Sequence, residues 1–114
     1  MKLYNNEIVN ILILKNLTEL ETLNISYNQI TDISIVQYLT KLETLWLHNN
    51  KIIDISAVKN LINLKDLNIQ NLKLESDQIQ YIKFLKNLKI LKCINGFKDI
   101  TVLNQINKNI KIIK

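Results

Sequence analysis

The chain has 114 residues, 47% hydrophobic and 22% charged, which is apolar enough for a packed core and excludes a disordered tail. Its net charge of +5 comes from fifteen Lys and no Arg, which argues against sequence-specific nucleic-acid recognition because Arg supplies most bidentate contacts to bases. One Cys excludes an internal disulfide, and no apolar run reaches the ~18–20 residues that span a bilayer.

The charge is distributed unevenly along the chain. Residues 1–72 carry six Lys and seven acidic residues, a net charge of −1, whereas residues 73–114 carry nine Lys and three acidic residues, a net charge of +6. The basic part therefore either meets an acidic partner or forms a solvated Lys-rich flank.

Turns in this sequence rely on Asn. The chain has no Pro and a single Gly, although a compact fold needs several turns. Asn is abundant instead, and it is the other residue that tolerates left-handed backbone and hydrogen-bonds to its own neighbourhood.

The first apolar run, within residues 8–14, superficially resembles a signal peptide. Asn10 interrupts it and no small-residue cleavage site follows, so this interpretation is rejected. The missing leader and the missing disulfide pair slightly favour the cytoplasm, with a fragment of a longer protein as the alternative.

A period of 22 residues organises the chain and explains the apolar start. Eight positions match at this period: Leu17 and Leu39, Leu20 and Leu42, Leu23 and Leu45, Ile25 and Leu47, Asn28 and Asn50, Ile30 and Ile52, Ile33 and Ile55, Val36 and Val58. The predicted organisation is one domain over 1–114, with a partial repeat at 1–16, repeats at 17–38, 39–60, 61–84 and 85–105, and an end at 106–114. The end is either a last strand or irregular.

The pattern L-x-x-L-x-x-L-x-L-x-x-N-x-I-x-D-I resembles the leucine-rich repeat of the 22-residue class, over residues 3 to about 106. Bacterial internalins share this class with the eukaryotic group that contains a regulatory subunit of protein phosphatase 1. The resemblance implies an α/β fold: a right-handed solenoid with a concave parallel β-sheet and short helical or 3-10 returns on the convex side. It also implies protein binding by the concave surface.

The spacing supports this fold without the family name. The segments TLNIS, TLWLH and DLNIQ alternate with period two, so each is predicted to be a short strand with one buried face. About a dozen residues with apolar positions three apart follow each strand and predict a tight return. One repeat cannot bury its Leu face alone, so neighbours must stack.

The return segments carry three further predictions. Asn6, Asn28 and Asn50 are expected to form a ladder that pairs the turn backbone, which Leu72 interrupts. Asp32 and Asp54 are placed to cap the short returns. The longer unit ESDQIQYIKFLK predicts a true α-helix of about ten residues. Its inward residues are expected to be Ile79, Ile82 and Leu85.

Strand alternation also selects the candidate binding residues. Because Leu45 and Leu47 point inward, Trp46 and His48 are predicted on the opposite, concave face. Trp and Tyr dominate binding hot spots, so an aromatic group among amides predicts a recognition patch. The partner-binding prediction comprises Tyr4, Asn24, Tyr27, Trp46, His48, Asn68 and Gln70. The alternative is that Trp46 only covers neighbouring strands.

Catalytic and metal sites are not predicted. His48 has no other potential metal ligand near it in the predicted fold. Cys93 occupies an inward strand position, which favours a buried, inert thiol. No Gly-rich phosphate loop, Ser–His–acid order or carboxylate pair is present, so we expect neither an enzyme nor a cofactor.

The sequence therefore predicts a non-enzymatic scaffold that binds a protein partner through its concave sheet. The alternative is a structural module whose uncapped repeats stack end to end or form a homo-oligomer. Nucleic-acid association through the Lys-rich end is a weaker reading because Arg is absent.

Overall fold

Each repeat folds as a three-residue strand followed by a return that contains a 3-10 helix. The computed structural model describes all of residues 1–114. The strands are β1 (Thr22–Asn24), β2 (Thr44–Trp46), β3 (Asp66–Asn68), β4 (Ile90–Lys92) and β5 (Lys111–Ile113). The 3-10 helices are η1 (Leu12–Leu14), η2 (Ser34–Tyr38), η3 (Ser56–Asn60), η4 (Ser76–Tyr81) and η5 (Ile100–Gln105). None of these helices is long or apolar enough to cross a membrane.

The strands form one open parallel sheet in chain order, β1 to β5. Its register keeps equivalent positions of successive repeats side by side, with Leu23 beside Leu45, Leu45 beside Leu67, and Leu67 beside Leu91. An isolated bridge between Lys2 and Asn24 continues the pairing toward the N-terminus. β5 pairs with β4, so the end of the chain is a strand and not an irregular segment.

The core lies between the sheet and the returns. The inward residues of β1 to β4 are 0% exposed. In the returns, Ile30, Ile33 and Val36, spaced three apart, are at most 1% exposed. Burial is weaker near the N-terminus of the stack, where Leu17 is 39% exposed although its repeat position predicts core. One continuous apolar interior thus runs along the stack, as expected when each repeat covers the next.

The turn that follows each strand uses a left-handed residue. The φ angles at Asn5, Tyr27, Asn49, Asn71 and Asn95 lie between 54° and 61°. Four of these five residues are Asn, the non-glycine residue that adopts this conformation most readily. The expectation that Asn replaces Gly in the turns is confirmed.

Aspartates bond to the backbone at the start of the returns, but the N-caps of η2 and η3 lie one residue later than predicted, at Ile33 and Ile55. Ser34 N donates to Asp32 Oδ1 at 2.7 Å, and Ser56 N donates to Asp54 Oδ1 at 2.8 Å. Asp99 repeats the arrangement, accepting from Thr101 N at 2.9 Å. These carboxylates satisfy amides that the helical turn itself leaves free.

The prediction of an α-helix in the unit ESDQIQYIKFLK is wrong. The segment forms the six-residue 3-10 helix η4 and then turns. Its inward residues were correctly identified, since Ile79, Ile82 and Leu85 are buried. They are spaced three apart, which matches the three-residue turn of a 3-10 helix and would drift around an α-helix of 3.6 residues per turn.

Candidate functional site

The candidate site is the outer face of the sheet, which we call the concave face. One column of side chains crosses this face along paired positions: Lys2, Asn24, Trp46, Asn68, Lys92 and Ile113. A second column lies two residues later in each repeat: Tyr4, Ser26, His48, Gln70 and Ile94. Inter-repeat backbone bonds, such as Tyr27 N to His48 O at 3.1 Å and Asn49 N to Gln70 O at 3.1 Å, hold the second column in order.

Trp46 is held in place across its neighbouring strands. Its indole Nε1 donates to Asp66 Oδ1 at 3.2 Å, and the Lys92 ammonium lies 4.8 Å from the ring centroid. A cation over the face of Trp is attracted by the ring quadrupole. Asn68 lies between Trp46 and Lys92 in the same column and is only 5% exposed. The indole is therefore a preorganised feature of this face.

His48 is enclosed by two aromatic rings. Its ring centroid is 5.3 Å from Tyr27 at an interplanar angle of 83°, and 6.2 Å from Trp46 at 61°. The residue is 8% exposed, and its Nδ1 atom is buried without a hydrogen-bond partner. Burial and the nearby positive charge of Lys92 lower the pKa of His48 below its ordinary value. The imidazole is thus neutral near pH 7 and acts as packing for the two rings.

Tyr27 combines backbone strain with exposure. Its φ is 56°, and it is the only aromatic residue among the left-handed turn positions. A bulky residue in this region is a conformational outlier, and such strain clusters at functional sites. The ring is 54% exposed, so it presents its free edge to solvent while contacting His48.

Two of the sequence-selected residues are less accessible than alternation predicted. His48 and Asn68 were expected to face solvent, yet both are buried beneath larger neighbours on the same face. Alternation determines which side of a strand a residue occupies, but not whether neighbours on that side cover it. The other members remain accessible, with Tyr4 and Tyr27 exposed and Asn24, Trp46 and Gln70 half-buried.

Trp46 occupies a position where the adjoining repeats have an asparagine that bonds locally. Asn24 Oδ1 accepts from Ser26 N at 3.1 Å and from Ser26 Oγ at 2.6 Å. Asn68 Oδ1 accepts from Gln70 N at 3.0 Å. An indole has no acceptor for the equivalent amide. The repeat scaffold is therefore compatible with Asn here, and Trp46 is a departure that the fold itself does not require.

The turn beside the concave face contains the asparagine ladder. Asn28 Oδ1 accepts from Asn6 N and from Ile8 N, each at 3.1 Å. Its Nδ2 donates to Leu3 O at 2.9 Å and to Ile25 O at 3.0 Å. The side chain therefore joins two repeats through both its donor and its acceptor.

Asn50 repeats these contacts one unit later. Its Oδ1 accepts from Ile30 N at 3.0 Å, and its Nδ2 donates to Ile25 O at 2.9 Å and to Leu47 O at 3.0 Å. Asn6, the first member, is exposed and donates to Leu3 O and Tyr4 O, each at 3.1 Å. The ladder is thus best satisfied where a preceding repeat supplies backbone partners.

Leu72 interrupts the ladder, and Gln78 supplies a different inter-repeat bond. Leu72 is buried and has no amide to offer the preceding repeat. Gln78, in η4, is 8% exposed, and its Oε1 accepts from Ile55 N at 2.8 Å. Sequence analysis did not identify Gln78. The sequence feature that could have identified it is a polar Gln next to the inward-facing Ile79 of this return.

Cys93 and the acidic residues show no chemical site. Cys93 is 4% exposed, and burial raises the pKa of its thiol, which keeps it in the unreactive protonated form. No group of three or more His, Cys, Asp or Glu residues could hold a metal ion. The face offers rigid aromatic, amide and ammonium groups, which suit recognition.

Comparison with known proteins agrees with the repeat geometry. The Leucine Rich Repeat family profile matches residues 19–39 and 41–61. Internalin C2 from Listeria monocytogenes superposes with a TM-score of 0.81 at 24% identity, covering 99% of this chain and 49% of that one. The chain has the leucine-rich-repeat fold. A leucine-rich-repeat protein of Leptospira interrogans superposes with a TM-score of 0.79 at 26% identity, covering 98% of this chain and 30% of that one.

These likenesses define the fold of the chain. The chain spans about half the length of the internalin C2 structure and less than a third of the Leptospira structure. No curated protein sequence matches it. Leucine-rich-repeat proteins commonly act as protein-interaction scaffolds and are generally non-enzymatic.

Proposed function

We propose that this protein binds a partner protein through its concave face. The supporting observation is the replacement of a scaffold-compatible Asn by Trp46, which Asp66 and Lys92 then hold in one orientation. Tyr27 adds a second large ring, 54% exposed, at a turn where the other repeats use Asn. Aromatic side chains with a polar handle supply much of the binding energy at protein interfaces.

The mechanism is rigid display. Adjacent strands hold successive residues of each column about 4.8 Å apart, and few side chains lose freedom when a partner docks. Tyr4, Tyr27 and Trp46 provide apolar area, while Asn24 and Gln70 provide donors and acceptors around it. His48 and Asn68 support the patch from beneath, because both are buried.

Site-directed photo-crosslinking in extracts of the native source tests the proposal. A photo-crosslinking side chain at Gln70 should capture a discrete partner, and the same side chain at Tyr38 should not. Tyr38 is a matched control because it is 49% exposed and ends η2, on the return side of the repeat. Capture at both positions, or only at Tyr38, would contradict concave-face binding.

Matched substitutions then assign the contact. Trp46→Asn and Tyr27→Asn should each abolish capture at Gln70, and Tyr38→Asn should leave it unchanged. Trp46→Asn should keep the stability within about 1 kcal/mol of the original chain, because the neighbouring repeats already accept Asn at this position. A loss near 3–5 kcal/mol would show that Trp46 serves the core.

End-to-end association is a second candidate. The first return exposes Val9 by 58%, Leu12 by 57% and Ile13 by 85%, an apolar group on the surface of the N-terminal repeat. If this surface joins two copies, light scattering should show a concentration-dependent oligomer that Leu12→Lys with Ile13→Lys disperses. A monomer at high concentration would reject it.

A further inference from the structure

The C-terminal end of the concave face carries lysines that form no ion pair. The three ion pairs of the molecule, Lys41 with Glu19, Lys65 with Glu43, and Lys98 with Glu75, lie between successive repeats. Lys92 and Lys111, on β4 and β5, form no ion pair, nor does Lys89 immediately before β4. No acidic residue occurs between Asp77 and Asp99, the stretch that contains β4. Asp66, beside Ile90 in the register, is the acidic residue of the neighbouring strand and accepts from the Trp46 indole, so the Lys92 and Lys111 ammonium groups have no ion-pair partner.

Aliphatic side chains alternate with these lysines. The register places Ile90 beside Lys111 and Lys92 beside Ile113. Lysine and isoleucine therefore alternate both along each strand and between the two strands. Ile94, in the second column, is 43% exposed, and Ile90 and Ile113 are half-buried. We call this surface the Lys–Ile patch: Ile90, Lys92, Ile94, Lys111 and Ile113.

The Lys–Ile patch adjoins the aromatic half of the face. The Lys92 ammonium lies 4.8 Å from the Trp46 ring centroid, so one side chain belongs to both halves. A ligand group that attracts this ammonium would alter the environment of the only Trp in the chain. The two halves therefore form a continuous surface with different chemistry at each end.

We infer that the partner presents an acidic, aliphatic segment to the Lys–Ile patch. This inference rests on the proposed function and specifies the chemistry of the partner. Carboxylates in the segment would pair with the free ammonium groups, and aliphatic side chains between them would cover the isoleucines. Nucleic acid fits the patch poorly, because the patch contains no Arg for phosphate forks.

The test uses a synthetic peptide of alternating Glu and Leu, about six residues long to match a strand. Binding is followed by Trp46 fluorescence and, independently, by anisotropy of a labelled peptide. The Glu–Leu peptide should bind saturably, and its isostere with Gln in place of Glu should bind at least about 10-fold more weakly. Added salt should weaken binding of the Glu peptide alone.

Paired substitutions locate the binding surface. Lys92→Gln with Lys111→Gln should weaken binding of the Glu–Leu peptide by about 10-fold or more. Lys59→Gln with Lys86→Gln is the matched control, since it removes the same charge from exposed return segments and should leave binding unchanged. Circular dichroism should show equal folded content for both variants.

Several outcomes would overturn the inference. The inference fails if the Glu and Gln peptides bind equally well, or if the Lys59 and Lys86 control pair weakens binding as much as the Lys92 and Lys111 pair. It also fails if the Glu–Leu peptide shows no saturable binding up to about 1 mM. Tighter binding of a single-stranded oligonucleotide of equal charge would contradict it as well. If crosslinking at Gln70 still captures a partner that the Lys92 and Lys111 variant binds normally, concave-face binding stands and the acidic-segment inference fails. If capture at Gln70 fails while the peptide binds as described, the failure lies in the proposed function.

Discussion

The ring of Tyr27 meets the imidazole of His48 edge-on, with centroids 5.3 Å apart and planes at 83°. Tyr27 makes this contact from a left-handed backbone with φ of 56°. The strained residue and the buried imidazole thus support each other on the concave face. Two of the predictions below separate the contributions of this pair.

The strain at Tyr27 is measurable by comparing two residues that both remove the ring. Tyr27→Asn should be more stable than Tyr27→Ala by about 1 kcal/mol, because Asn tolerates the left-handed region and Ala does not. Urea unfolding of the two variants gives this difference directly. The Tyr27→Gly variant should have a stability close to that of Tyr27→Asn, because Gly also tolerates the left-handed region. Equal stabilities for Asn and Ala would show that the turn relaxes and stores no strain.

His48 should make the stability depend on pH. Burial, and then the charge of Lys92, lower its folded-state pKa below the ordinary value of 6.5. When the pH falls below that value, the unfolded chain binds a proton that the folded chain does not. The free energy of unfolding should therefore decrease as the pH falls through 6.5 toward the folded pKa, and this contribution should be absent above 6.5.

The pH effect is checked by subtracting the profile of His48→Gln from that of the original chain. Since His48 is the only His, its imidazole NMR signals also titrate without overlap. Lys92→Gln should raise the folded-state pKa toward the ordinary value by removing the nearby positive charge. An NMR titration midpoint at or above 6.5 would refute this account.

The ladder predicts unequal costs for two asparagines. Asn28→Ala should lower the free energy of unfolding by about 2–3 kcal/mol, because it leaves backbone donors and acceptors of two repeats unpaired in a buried turn. Asn6→Ala should cost less than about 1 kcal/mol, since Asn6 is exposed and water replaces its bonds. Urea midpoints measure both, and equal losses would contradict a role based on burial.

Gln78 should be needed where Leu72 interrupts the ladder. Gln78→Leu removes the acceptor of Ile55 N, a buried amide, and should cost about 1–3 kcal/mol despite being more apolar. Gln80→Leu is the control on the same helix, because Gln80 is exposed, and it should change stability by less than about 0.5 kcal/mol. A neutral Gln78→Leu would mean that Ile55 N finds another acceptor.

Sequence alone determined the features that depend on the 22-residue period. Period-two alternation within each strand predicts which residues point inward and which form the concave columns. The 22-residue period then predicts that equivalent positions of neighbouring strands pair. The backbone bonds of Asp32 and Asp54 could also be predicted, because each joins residues only two apart. The use of Asn in left-handed turns followed from the lack of Gly.

Tertiary structure alone decided what each side chain of the concave face does. The bond from Trp46 to Asp66, the stacking of Lys92 and the burial of His48 join residues from different repeats. No periodicity encodes these contacts, because they depend on the size and rotamer of unlike side chains that the stack brings together. The same reason explains Gln78, whose acceptor role exists only because Ile55 of the preceding repeat faces it. A repeat specifies backbone and core, whereas a surface is made of the residues that the repeat leaves free to differ.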